Sequence, residues 1–88
     1  MIRVARPENT IFVRMCRRHG PYGYECFGKA RGEGFIAGGY TRADAIEAGN
    51  LLLWAINKYG PADFKKHAPF DANPDRPTSI IYPVQDEL

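Results

Sequence analysis

The stretch from Thr41 to Pro61 constrains this chain more than any other. Thr41 stands as an N-cap with Asp44 three residues on, a shortened capping box that can satisfy the free N–H groups of a first helical turn. Gly60-Pro61 gives the opposite signal, a glycine that can leave the helix followed by a proline that cannot continue it. The spacing therefore predicts a helix over 42–59. At about 100° per residue, Ala45, Ala48, Gly49, Leu52, Ile56 and Tyr59 form one apolar stripe, widened by Ile46 and Leu53. Such a stripe must be buried against another layer, and the small residues at 45, 48 and 49 predict close approach to a sheet. Leu51 and Trp54 point the other way, among Glu47, Asn50 and Lys58. Either the C-terminal stretch folds back over them, or they anchor a partner or a homodimer.

The layer under the helix has to come from the residues before it. Ile2 to Ala5 reads as a short strand broken by Pro7-Glu8-Asn9, and Thr10 to Arg18 as a longer one. His19 to Gly23 makes a turn, Tyr24 to Ala30 a second strand, Arg31 to Gly34 another turn, and Phe35 to Tyr40 a third strand. Pro61 to His67 adds a helical turn, and Pro69 to Thr78, with three prolines, is an extended loop. Ser79 to Tyr82 is a last strand that Pro83 confines to an edge. The expected fold is α+β, with a small antiparallel sheet of roughly three to five strands in β-β-β-α-β order packed on one long helix. At 88 residues, 44% hydrophobic and 25% charged, the chain has room for one domain: sheet over about 2–40, helix over about 42–59, proline-rich extended segment over 61–88.

Folding the first hairpin about Pro21 sets Cys16 opposite Cys26, Arg17 opposite Glu25, Arg18 opposite Tyr24 and Met15 opposite Phe27. Alternation then puts Ile11, Val13, Met15, Phe27, Phe35 and Ala37 under the helix. Phe12, Arg14, Cys16, Arg18, Tyr24, Cys26, Ile36 and Tyr40 share the other face.

Catalytic and metal chemistry find little support. Cys16, His19 and Cys26, with His67 as a fourth ligand, do not match a regular zinc spacing, so two reduced cysteines and no metal are expected. No orienting group or oxyanion site marks a cysteine nucleophile beside His19. Gly32-Glu33-Gly34 and Gly38-Gly39 lack the lysine of a phosphate loop, and Asp71, Asp75, Asp86 and Glu87 lack the spacing of a calcium loop. No apolar run is long enough to span a bilayer or serve as a signal peptide. These readings predict a cytoplasmic protein that is not an enzyme and holds no cofactor.

Charge supplies the stronger signal. Residues 1–42 carry eight basic groups against three acids, a balance of +5, whereas residues 43–88 carry four against seven, a balance of −3. Arg14, Arg17, Arg18, Tyr22, Tyr24, Lys29 and Arg31 combine guanidinium and ammonium groups with aromatic rings, a mixture suited to phosphates and bases or to an acidic protein surface. A solvated face with local Arg17–Glu25 pairing is the competing explanation.

Thr10 to Tyr59 resembles the β-β-β-α outline of the arm-binding domains of tyrosine recombinases and of HicB-type antitoxins, through the aromatic third strand and Gly39-Tyr40-Thr41-Arg42-Ala43-Asp44-Ala45. The resemblance covers about half the chain and transfers no functional residue. The first expectation is a non-catalytic module that engages nucleic acid or nucleic-acid machinery through the basic hairpin. The second is a small inhibitor or adaptor, of the phage or mobile-element type, that binds a host or defence complex by protein–protein contacts.

Overall fold

The computed structural model describes residues 7–16 and 23–87. The expected strand at Ile2 to Ala5, and with it Arg17, Arg18, His19 and Tyr22, lies outside the described residues. Strand β1 (Ile11–Met15) pairs antiparallel with β2 (Tyr24–Ala30), which pairs antiparallel with β3 (Glu33–Gly39). Helix α1 (Arg42–Tyr59) follows, then 3-10 turns at Phe64–His67 and Phe70–Ala72, and β4 (Val84–Asp86) returns beside β1. The sheet is mixed, with strand order β3-β2-β1-β4. This is the expected α+β arrangement in β-β-β-α-β order. No helix among the described residues is long and apolar enough to cross a membrane.

The helix obeys its sequence signals. Asp44 N–H donates to Thr41 Oγ1 at 3.0 Å, and Gly60 N–H closes the last turn on the Ile56 carbonyl at 2.9 Å. Its buried residues are Ala45, Ile46, Gly49, Asn50, Leu53, Ala55 and Ile56. They meet Ile11, Val13, Cys26 and Ala30 of the sheet, and Phe64 and Phe70 of the two turns close the core. Gly49 explains the tight contact: a Cβ there would lie 2.3 Å from Cys26 Sγ. A larger residue there would force the helix or Cys26 to shift.

The first hairpin departs from expectation. Val13 lies opposite Cys26, Arg14 opposite Glu25 and Met15 opposite Tyr24. The last described rung is Cys16 N–H donating to the Gly23 carbonyl, which is not the register that folding about Pro21 predicts. The register differs by three positions, an odd number, which exchanges the two faces of β2. Cys26 and Tyr24 accordingly lie on the helix side, and Phe27 on the open side. Strands β1 and β3 keep their expected faces, although Met15 is 53% exposed.

The C-terminal segment differs as well. The last strand is Val84–Asp86, beyond Pro83, and runs parallel to β1. Ser79 to Tyr82 run along the helix instead, held by two hydrogen bonds. Ile81 N–H donates to Asn50 Oδ1 at 3.2 Å, and Tyr82 Oη receives Asn57 Nδ2 at 3.2 Å. Pro83 lacks an N–H, but its carbonyl accepts from Ile11 N–H at 2.8 Å and starts the ladder. Asn50 thus belongs to the interior rather than to the solvent face of the helix. The expected loop over Pro69 to Thr78 contains the short turn Phe70–Ala72, whose Phe70 is a core residue.

Candidate protein-binding face and sheet edge

The helix covers one side of the sheet. On the other, alternation lines up Phe12, Phe27 and Ile36 as one row across β1, β2 and β3. Phe12 and Phe27 stack at 5.8 Å between ring centroids. Phe12 is buried, but the row becomes more exposed toward β3 and ends at Ile36, 74% exposed, with Tyr40 at 83% just beyond the strand. A domain of this size has few large apolar groups to spare, so two in water on one edge need a reason.

The next row carries Arg14 and Glu25, direct cross-strand partners whose side chains form an ion pair, with the guanidinium 5.5 Å over the Phe27 ring. Arg14 is therefore engaged within the sheet. Tyr24 does not join it, because the changed register turns that ring to the helix side, where it packs half-buried against the core. Lys29 lies near the end of β2 and Arg31 lies in the β2–β3 turn, which Arg31 (φ 52°) and Gly32 (φ 82°) make with left-handed backbone. Neither forms an ion pair with a described residue. Arg17, Arg18 and Tyr22 fall outside the described residues, so of the seven residues of the basic hairpin the structure places Arg14, Tyr24, Lys29 and Arg31 and does not gather them on one face.

Leu51 and Trp54 are both partly buried and pack against the core cluster. Trp54 meets Tyr59 edge-on at 6.0 Å, and Lys58 Nζ lies 5.4 Å from its ring. Leu51 lines a cleft of about 580 Å³ whose other wall is the segment from Arg76 to Ile80. The C-terminal stretch does fold back along the helix, leaving Ile80 and Ile81 half exposed.

The cysteines are separated. Cys26 is sealed under the helix, where burial pushes its thiol from an ordinary 9.0 up to about 12. By alternation Cys16 faces the opposite side of the sheet, and both are free thiols. His67 lies flat on the Tyr59 ring at 3.8 Å. The Cys16, Cys26 and His67 members of the candidate zinc set are therefore not brought together.

The sequence reading missed the free edge of β3. Its signal was the run Gly34-Phe35-Ile36-Ala37-Gly38, seven-residue β3 having Glu33 as its one charged side chain. No family model, curated protein or solved structure matches this chain. The β-β-β-α outline over Thr10 to Tyr59 is present in the fold, and it carries no functional residue with it.

Proposed function

We propose that this chain is a non-catalytic binding module that docks on another protein through the exposed β3 margin of the sheet, around Ile36 and Tyr40, and the β3 edge. In this reading it is a cytoplasmic inhibitor or adaptor of the kind phages and mobile elements direct at a host or defence complex. The observation that carries it is the apolar row running from Phe12 to an Ile36 that is 74% exposed, beside Tyr40 at 83%. Exposed aliphatic and aromatic groups at a sheet margin are the material of interface anchors. The test is affinity capture from an extract of the source cells, with and without nuclease. Wild-type protein is expected to retain a partner after nuclease treatment, and the Ile36→Asp/Tyr40→Ala chain to lose it. A partner lost on nuclease treatment, or retained by the double variant, overturns the proposal.

A second reading, nucleic-acid binding, is favoured by the +5 balance of residues 1–42 together with Lys29 and Arg31, which make no ion pair among the described residues. Fluorescence anisotropy against duplex and single-stranded probes tests it. Binding whose logarithm falls with the logarithm of salt at a slope of about −0.9 per duplex phosphate contact supports it, and no binding at low salt removes it.

A further inference from the structure

We infer that the groove along the free edge of β3 takes an extended acidic segment of the partner as an added strand. This rests on the protein-binding reading and names its partner chemistry. Ala30 and Glu33 flank a two-residue turn and so form its closing hydrogen-bonded pair. Alternation then directs the N–H and C=O groups of Glu33, Phe35, Ala37 and Gly39 to β2, and those of Gly34, Ile36 and Gly38 outward. The first hairpin agrees, since Cys16 N–H bonds the Gly23 carbonyl, leaving the even residues of β2 to face β3. Gly34, Ile36 and Gly38 are all exposed, and no hydrogen bond from another described element reaches their backbone groups. Natural edges are guarded by lysine, proline or a bulge. None of these interrupts β3.

The edge also has a second wall. A groove of about 750 Å³ runs beside it, lined by Phe35 and Leu52 and closed on the far side by Phe64, Ala68 and Phe70. A strand laid against β3 would present alternate side chains to these apolar groups while its backbone met the outward groups of β3, the pattern of strand addition. Three cations surround the site: Lys65 in the groove, Lys29 directly opposite Gly34, and Arg31 in the adjoining turn. None of them forms an ion pair with a described residue, and Glu33 is the one acid of β3. The occupant with complementary charge is a peptide in which apolar residues alternate with aspartate or glutamate. A second β3 would bring only its own Glu33 to these cations, which is why a partner segment is assigned here rather than a second copy.

The probe is a fluorescent peptide of about seven residues, strand length, alternating valine and glutamate, with a lysine-for-glutamate peptide beside it. The glutamate peptide is expected to bind at least about tenfold tighter than the lysine peptide, because complementary charge suppresses the wrong partner. On saturation, amide exchange measured by NMR should slow at Gly34, Ile36 and Gly38. Ile36→Pro removes the central outward donor at a position where an edge strand tolerates proline, and should abolish binding with the circular dichroism spectrum kept. Should that variant fail to fold, Lys65→Glu serves instead and should reverse the preference between the two peptides. Equal binding of both peptides, no binding, or unchanged exchange at those three amides overturns the inference. If Ile36- and Tyr40-dependent capture of a partner survives such a result, the protein-binding reading stands and only the added strand falls.

Discussion

At Gly49 a single hydrogen atom decides whether helix and sheet can meet. A Cβ at that position would lie 2.3 Å from Cys26 Sγ and 3.1 Å from Cys26 Cβ, and Cys26 is fully buried. Alanine would improve helix propensity by about 1 kcal/mol, whereas overpacking a filled interior costs about 1–3 kcal/mol. Gly49→Ala is therefore expected to lower stability in urea denaturation, and adding Cys26→Ala to recover part of the loss. A Gly49→Ala chain as stable as the wild type would contradict this packing. The same burial holds the Cys26 thiol up at about 12, so the folded state resists losing its proton. Its stabilising share is complete below the ordinary 9.0 and is lost as pH rises from there towards 12. Across that window the wild type should lose stability faster than Cys26→Ala, by at most about 1.4 kcal/mol per pH unit for one proton. Parallel pH profiles of the two chains would show that the thiol is not sealed.

Among the elements, α1 was legible because its information is local: a cap at Thr41, a stripe and a stop at Gly60 all lie within its own span. The face of β2 was not, because it depends on the distance between Cys16 and Gly23 rather than on any residue of β2. Apolar alternation fits either register there, since Tyr24, Cys26, Phe27 and Ala30 offer large or apolar groups on both faces. The same exchange removed Tyr24 from the expected basic face, while the exposed Ile36 of β3 kept its place. The last strand was hidden by a competition between elements. Asn57 Nδ2 donates to Asn9 Oδ1 at 2.9 Å, the Leu53 carbonyl at 3.0 Å and Tyr82 Oη at 3.2 Å, which ties Tyr82 to the helix and displaces the strand past Pro83. Asn57→Ala is expected to cost about 1–2 kcal/mol by leaving the partly buried Leu53 carbonyl and Tyr82 Oη unmet, read by thermal melting. Arg42 and Asp86 pair at 2.8 Å with both side chains well exposed, so Asp86→Ala should cost less than about 1 kcal/mol. Trp54→Ala should cost about 2–4 kcal/mol, since the ring is partly buried against Tyr59, yet leave partner capture intact. Loss of capture with unchanged stability in that variant would move the interface to the helix.

Across the whole molecule, the helix covers one side of the sheet, the other side becomes exposed toward β3, and the strand order of the described residues leaves β3 and β4 as its margins. The β4 margin is a short strand carrying Asp86, whereas β3 is longer, glycine-rich and flanked by cations that make no ion pair among the described residues. Partner recognition is accordingly proposed for β3 and the exposed margin around Ile36 and Tyr40. The charge polarity of the chain then acts mainly on encounter: an acidic partner should associate faster at low salt, with the dissociation rate changing less, in stopped-flow measurements. Hydrogen exchange on the protein with its captured partner tests the central claim most directly. The account expects slowed exchange over Glu33–Gly39, with the helix unchanged. Protection confined to the helix around Leu51 and Trp54, or no protection of β3 at all, would contradict it.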